Sequence, residues 1–346
     1  MQSLSIDRGG NMEKEVKIIG VLLGDACGIG PEIVVKALSK AEVRNRVCWF
    51  MLGDSRILDM GETVARKKLD PIMINDFSEV IPKAGEIYLM DLKNFTMEKV
   101  TPGVLSPHSG KVTGDTLKEM VSIARKNPIS GILYGPFNKE ALQRGGHSFE
   151  DETHFYANLF GCENQEFGEI NIMDDLWVSR ITSHVPMKDV SKLITKDLVL
   201  RKIHFANEYL LKAGYKRPKI IVAAYNPHGG EGGLLGNEEI ESIRPAIKEA
   251  AAQGVDVIGP YPADTIFLRR QTLKYTCLLS VYHDQAQLGI KLLGFHKGVT
   301  LSAGFPIPLA TPAHGTAFDI AGKGIANESA TLAAINILFR LSGVEI

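Results

Sequence analysis

Val16-Lys17-Ile18-Ile19-Gly20-Val21-Leu22-Leu23-Gly24-Asp25, continued by Gly28-Ile29-Gly30-Pro31-Glu32-Ile33-Val34-Val35-Lys36-Ala37-Leu38, reads as a strand, a glycine-rich turn and the start of a helix. The first run is short, apolar and stopped by Gly24-Asp25, as expected of a buried strand. Pro31 suits a first helical turn, where its missing N–H would have had no partner, and the residues after it have helical spacing. The unit recurs. Residues 47–52, 86–90, 131–134, 177–181, 219–224, 257–259 and 276–282 are further expected strands, and 114–126, 196–213, 238–253 and 329–342 are expected helices. Such alternation predicts an α/β fold with a mostly parallel sheet covered on both faces.

The chain has 346 residues, 45% hydrophobic and 23% charged. That length allows one large α/β unit or two lobes sharing a cleft, since single cores stop growing near about 250–300 residues. A net charge of −1 and the lack of a basic block argue against nucleic acid as the principal ligand. No apolar run approaches the roughly 20 residues needed to cross a bilayer. Asp7, Arg8, Glu13, Lys14 and Glu15 deny the first twenty residues the apolar core of a secretory signal. A cytoplasmic protein is therefore expected, with residues 1–15 a flexible extension and Met12 an alternative start. Cys27, Cys48, Cys162 and Cys277 form no CxxC pair and read as small buried hydrophobes, not as disulfides, zinc ligands or nucleophiles.

Polar residues collect just after the expected strands, at Gly24-Asp25, Gly135-Pro136, Ser183-His184, Asn226-Pro227-His228 and His283-Asp284. Ligands of open α/β sheets bind beyond the carboxyl ends of strands. His184, His228 and His283 share that context, and three neutral imidazoles with open positions suit a catalytic divalent metal. Their spacing alone is equally compatible with three separate loop histidines. His228 lies in Asn226-Pro227-His228-Gly229-Gly230-Glu231-Gly232-Gly233, whose glycines allow close backbone approach to a ligand. Asp284, beside His283, is suited to orient an imidazole, and Lys291 to hold an anion or move a proton. Asp264 is a further candidate carboxylate, or simply a cap. No GxGxxG follows the first strand, so a Rossmann pyrophosphate site is not indicated.

The segment from His314 to Asn327, containing His314-Gly315-Thr316-Ala317 and Asp319, resembles the adenosine-binding loop of isopropylmalate and isocitrate dehydrogenases. The resemblance implies cofactor contacts from His314, Gly315, Thr316, Ala317, Asp319 and Asn327, and NAD as the cofactor, since a carboxylate at Asp319 would repel a 2′-phosphate. From about Val16 onward the chain resembles the 4-hydroxythreonine-4-phosphate dehydrogenase (PdxA) family. The marks are Gly24-Asp25 with Gly28-Ile29-Gly30-Pro31-Glu32, Gly135-Pro136-Phe137-Asn138-Lys139, Asn226-Pro227-His228, Pro262-Ala263-Asp264-Thr265, Tyr282-His283-Asp284-Gln285 and His314-Gly315-Thr316-Ala317.

This second resemblance implies an isocitrate/isopropylmalate dehydrogenase-like fold of two α/β lobes with a cleft between them. The first lobe is expected over 16–130 plus 295–346, and the second, with the metal ligands and dimer interface, over 131–294. It implies a homodimer with an interfacial active site, a metal (zinc, or else manganese, cobalt or magnesium) on His184, His228 and His283, and catalytic roles among Lys291, Asp264 and Asp284. It further implies substrate contacts from Lys139, Glu152, Thr153, Lys291 and Thr300. The expected activity is NAD-dependent oxidation of a secondary hydroxyl near a carboxylate, followed by decarboxylation.

Where the family carries Gly-His-Thr-Glu, this chain reads Asp151-Glu152-Thr153-His154; a family asparagine becomes Thr300 and a substrate-binding arginine Leu309. Trading a guanidinium for a leucine and gaining a carboxylate weakens phosphate recognition. A non-phosphorylated hydroxy acid or a cis-dihydrodiol carboxylate is therefore weighed beside a phosphorylated substrate; the dihydrodiol idea comes from a resemblance to the terephthalate cis-dihydrodiol dehydrogenase branch. A phosphate acyltransferase on a related fold and a non-catalytic ligand-binding homologue are the alternatives.

Overall fold

The computed structural model describes residues 15–149, 151–294 and 297–345. Apart from Glu15, the expected extension over 1–15, with Met12, lies outside the described residues.

Twelve strands form one sheet: β1 (Ile18–Leu22), β2 (Cys48–Gly53), β3 (Ile72–Ile74), β4 (Ile87–Asp91), β5 (Ile129–Tyr134), β6 (Gly168–Met173), β7 (Leu176–Arg180), β8 (Ile220–Ala223), β9 (Val257–Tyr261), β10 (Cys277–Ser280), β11 (Val299–Ala303) and β12 (Leu309–Pro312). Their order is β3-β4-β2-β1-β5-β12-β11-β6-β7-β10-β8-β9. Pairing is parallel in both outer portions and antiparallel through β12-β11-β6-β7 in the middle. β1, β2, β8 and β10 are buried along their whole length, which explains their unbroken apolar runs. β5 pairs with β1 and β12, so the chain passes to the other half of the sheet after the helix Glu152–Phe160, not at residue 131.

Helices cover both faces over two large apolar clusters. One contains Ile19, Val34, Trp49, Leu133, Trp177, Ile203, Leu279 and Leu338, and the other Phe50, Ile132, Tyr134, Tyr156, Phe160 and Leu309. The helix Pro107–Ala124 begins seven residues before the expected 114, because Ser106 caps it by accepting from the Ser109 amide and Pro107 fills its first turn.

The topology explains the recurrence of polar residues after strands. β7, β10 and β8 are consecutive and parallel, so the segments carrying His184, His283 and His228 leave the sheet along one edge.

Candidate functional site

A cleft of about 270 Å³ opens where the outer and central strands meet. Tyr134 closes β5 at its floor, and Lys139 opens the helix Lys139–Arg144, which Asn138 caps by accepting from the Ala141 amide. Glu169 and Asn171 on β6, Thr300 on β11 and Thr311 on β12 face into it. His184, Lys291 and the helix residue Gln287 complete the wall with His283, His314 and Gly315. A polar chain crosses the floor: Gln287 Nε2 donates to Asn171 Oδ1 at 2.8 Å, and Asn171 Nδ2 to Thr300 Oγ1 at 3.3 Å.

His184 and His283 meet with ring centroids 5.6 Å apart. Each is held from behind: His184 Nδ1–H donates to Asp151 Oδ2 at 2.9 Å, and His283 Nδ1–H to Asp284 Oδ1 at 2.7 Å. Both Nε2 lone pairs are thereby left for an electrophile, the arrangement by which carboxylates orient metal-ligating imidazoles. The Asp151 carboxylate also accepts from Thr153 Oγ1 and from the ring and amide of His154. Burial opposes its ionisation, but the His184 bond, the His154 bonds and the Thr153 bond outweigh it and hold its carboxyl far below the ordinary range. The Asp151 bond in turn raises the pKa of His184.

His228 stands apart. It is exposed, adopts a left-handed φ of 55° and does not line the cleft. The start of its turn is fixed by Glu239 Oε1, which accepts the Tyr225 and Asn226 amides at 2.8 Å. Among the described residues no group of three or more His, Cys, Asp or Glu side chains is gathered to hold a metal ion. Two of the three expected ligands are brought together; the third is brought only to the same sheet edge.

Of the expected catalytic groups, Lys291 lines the cleft, whereas Asp284 is exposed and reaches it only through His283. Asp264 is exposed in the first turn of the short helix Ala263–Ile266, outside the cleft wall, where a carboxylate favours the helix start. Thr153 faces a neighbouring cavity on the far side of His184. Leu309 is fully buried, in the cluster that contains Tyr134 and Tyr156.

The loop beginning at His314 packs on the first glycine-rich turn. The Ile29 amide donates to the Thr316 carbonyl at 3.0 Å, and a Cβ on Gly28 would stand 2.8 Å from Thr316 Cβ. Further along, Lys36 Nζ donates to the Gly324 and Ala326 carbonyls, while Glu32 Oε1 accepts from Lys36 and from the Ala326 amide. Gly315, Asp319 and Asn327 remain exposed. All four cysteines are free and buried; burial, then the nearby Asp25 charge, pushes the Cys27 thiol up to about 11, away from nucleophilic use.

Sequence reasoning missed Tyr134, Tyr156, Glu169 and Asn171, and quoted Asp151 without giving it a role. Glu152 is 9% exposed; its Oε1 accepts from the hydroxyls of Tyr134 and, at 3.4 Å, Tyr156. Burial, only partly offset by these bonds and by Lys139, raises its pKa from 4.5 to about 7. Burial and the Glu152 charge likewise raise both tyrosines well above their ordinary values, so their hydroxyls stay donors.

Because the folded-state pKa of Glu152 exceeds the unfolded one, its burial costs stability as pH rises from near 4.5 through about 7. Glu152→Gln is therefore expected to gain stability over the parent as pH rises from 5 to 8, by up to roughly 3 kcal/mol, read as a growing excess in melting temperature. A difference between the two proteins that stays flat across that window would sink the assignment.

Residues 45–338 match the family model described as "Pyridoxal phosphate biosynthetic protein PdxA". The D-threonate 4-phosphate dehydrogenase of Cupriavidus necator is 37% identical over 325 residues, 94% of this chain and 97% of that relative. Among solved structures, a 4-hydroxythreonine-4-phosphate dehydrogenase from Burkholderia phymatum superposes with a TM-score of 0.76 at 35% identity, covering 95% of this chain and 99% of that one. A terephthalate 1,2-cis-dihydrodiol dehydrogenase from Burkholderia xenovorans shares the fold, with a TM-score of 0.66 at 24% identity over 96% of this chain and all of that one. The mixed α/β sheet, the cleft at its strand ends and these likenesses along most of its length agree: the chain belongs to the PdxA family, an oxidoreductase family whose named relatives are dehydrogenases acting on a CH–OH group.

Proposed function

We propose that this protein is an NAD- and divalent-metal-dependent dehydrogenase that oxidises a secondary hydroxyl near a carboxylate, with loss of CO2 following. The observation that supports it best is the pair of carboxylate-backed imidazoles, His184 on Asp151 and His283 on Asp284, with both Nε2 atoms available. That donor set fits zinc, and manganese, cobalt or magnesium are the other candidates. His228 is proposed as third ligand from its place after β8, beside β10 in the sheet. When bound, the cation supplies positive charge at the substrate oxygen, and NAD the hydride acceptor.

The chain's own groups do the rest. Lys291 holds the substrate carboxylate in the cleft, the Lys139 charge adds to the attraction for an acidic substrate, and the Gln287–Asn171–Thr300 chain orients its hydroxyls. Lys291, as its ammonium, hands a proton to the enolate carbon left when the β-carboxylate departs. Asp284 is a positioning residue acting through His283. The loop carrying His314, Gly315, Thr316, Ala317, Asp319 and Asn327 is proposed to hold the dinucleotide. Its support is the clip of Glu32 and Lys36 on Gly324 and Ala326, together with the exposed Asp319 carboxylate, which suits ribose hydroxyls and disfavours a 2′-phosphate.

A homodimer with the cleft near its interface is part of the same reading. Leu288, Leu292 and Leu293 are exposed on the helix that carries His283 and Lys291, and Leu268 is exposed beside Phe267, whose ring lies over Gly289. A monomeric mass by sedimentation would contradict it. Four free buried cysteines suit a reducing compartment, and we assign the protein to the cytoplasm.

The test is NADH formation from D-threonate 4-phosphate, 4-hydroxythreonine 4-phosphate and their unphosphorylated counterparts. Turnover of at least one is expected to vanish on chelation and return with zinc, manganese or cobalt. Full activity in the chelated enzyme would rule out the metal role.

A further inference from the structure

The Tyr134–Glu152 end of the cleft has a chemistry that the oxidation itself does not require. Glu152 opens the helix Glu152–Phe160 and points its carboxyl to the cleft wall, where Tyr134 and Tyr156 both donate to Oε1. Neither hydroxyl engages Oε2. Behind the tyrosines lies an apolar wall that includes Ile132, Phe305 and Leu309. The facing charged groups are Lys139, at the start of the next helix, and Glu169 on β6, the latter paired with Arg180 at 2.7 Å. No arginine is among the described residues that line the cleft.

These features decide among three ends that a small hydroxy acid can present. A phosphate is recognised by guanidinium forks or by several converging N–H donors, and it is repelled by a fixed carboxyl on an apolar wall. An ammonium would meet Lys139, whose charge already faces Glu152. An uncharged hydroxyl suffers neither repulsion: it can donate to Glu152 Oε2 and accept from Lys139.

We propose that Glu152, held by Tyr134 and Tyr156, is the specificity-determining residue that makes the cleft select polyhydroxy acids with a free terminal hydroxyl over their phosphate esters. The proposal rests on the dehydrogenase reading for the orientation of the acid, with its carboxylate towards Lys291, and adds which terminus the enzyme accepts.

The test is calorimetric binding of D-threonate and of D-threonate 4-phosphate to the purified, metal-loaded protein with NADH present, at about pH 8 so that Glu152 is ionised, alongside NAD reduction by each. D-threonate is expected to bind about tenfold or more tightly than its phosphate ester, a discrimination of the size that like-charge juxtaposition produces. In Glu152→Gln, which cannot carry the charge, the ratio is expected to collapse towards unity through stronger binding of the ester. Tyr134→Phe, which removes one donor and leaves the carboxyl, should weaken D-threonate binding while keeping the preference. Tighter binding of the ester to the parent protein, binding of neither acid, or an unchanged ratio in Glu152→Gln would each overturn the proposal. Binding of D-threonate without NAD reduction would instead count against the dehydrogenase reading and leave this one standing.

Discussion

His184→Ala is expected to lower kcat/KM on the order of a thousandfold, and Asp151→Asn to weaken metal binding by about 10–100-fold while leaving the fold intact. The two differ because they act at different distances from the chemistry. Removing the imidazole takes away one of the two Nε2 donors that the cleft brings together, and Lewis-acid stabilisation of a developing oxyanion is worth several kcal/mol. Replacing one Asp151 oxygen by an amide NH2 removes the charge and one acceptor, which leaves the imidazole in place but loosens it. Asp151 Oδ2 is what Nδ1–H donates to, while Oδ1 is already shared among Thr153 and the ring and amide of His154. Competition of each variant against a chromogenic chelator measures the affinities directly, and NADH formation the rates. Asp151→Asn with parental metal affinity would show that the ion pair with His184 is structural only.

The strands along the outer portions of the sheet were readable because they are buried on both faces and therefore continuously apolar, as in β1, β2, β8 and β10. Four strands escaped notice, and three of them are those that build the cleft. β6 carries Glu169 and Asn171, β11 carries Thr300, and β12 carries Thr311 and ends in Pro312, so polar side chains facing the site interrupt the pattern that announces a strand. β3 is a three-residue edge strand with Ile72 and Met73 exposed. The site was thus visible where imidazoles follow apolar runs and hidden where its polar residues lie inside strands. Asp151 precedes His184 by 33 residues, so no local spacing connects them. The resemblance named Glu152 and Leu309 as departures; the tyrosine pair that holds Glu152 is a product of folding, since Tyr134 ends β5 and Tyr156 lies one turn into a helix. The early start of the helix Pro107–Ala124 was masked by Gly110, four residues ahead of Gly114; the small size of both glycines serves packing at the expense of helical pattern.

Those glycines support the second large effect, Gly110→Ala, which we expect to cost about 3 kcal/mol or more of stability and to lower the melting temperature by several degrees. Helix propensity argues the other way, since alanine in a helix interior is favoured over glycine by about 1 kcal/mol. Sterics decide. A Cβ at Gly110 would lie 1.9 Å from the Ala141 carbonyl oxygen, 2.1 Å from its carbon and 2.6 Å from the Leu142 amide nitrogen. Every obstructing atom is backbone of the helix Lys139–Arg144, so no rotamer change relieves the clash and one helix must move off the other. The contact is continued by Gly145, where a Cβ would approach the Lys111 amide nitrogen to 2.3 Å, so the separation cannot be confined to one residue. Displacing that helix also displaces Lys139 at its first turn and with it one cationic wall of the cleft. Weaker binding of acidic substrates is therefore expected to accompany the lost stability. Thermal and chaotrope unfolding of the variant beside the parent settles the sign: equal or higher stability would mean that propensity outweighs the helix contact and that the two helices are not locked backbone to backbone.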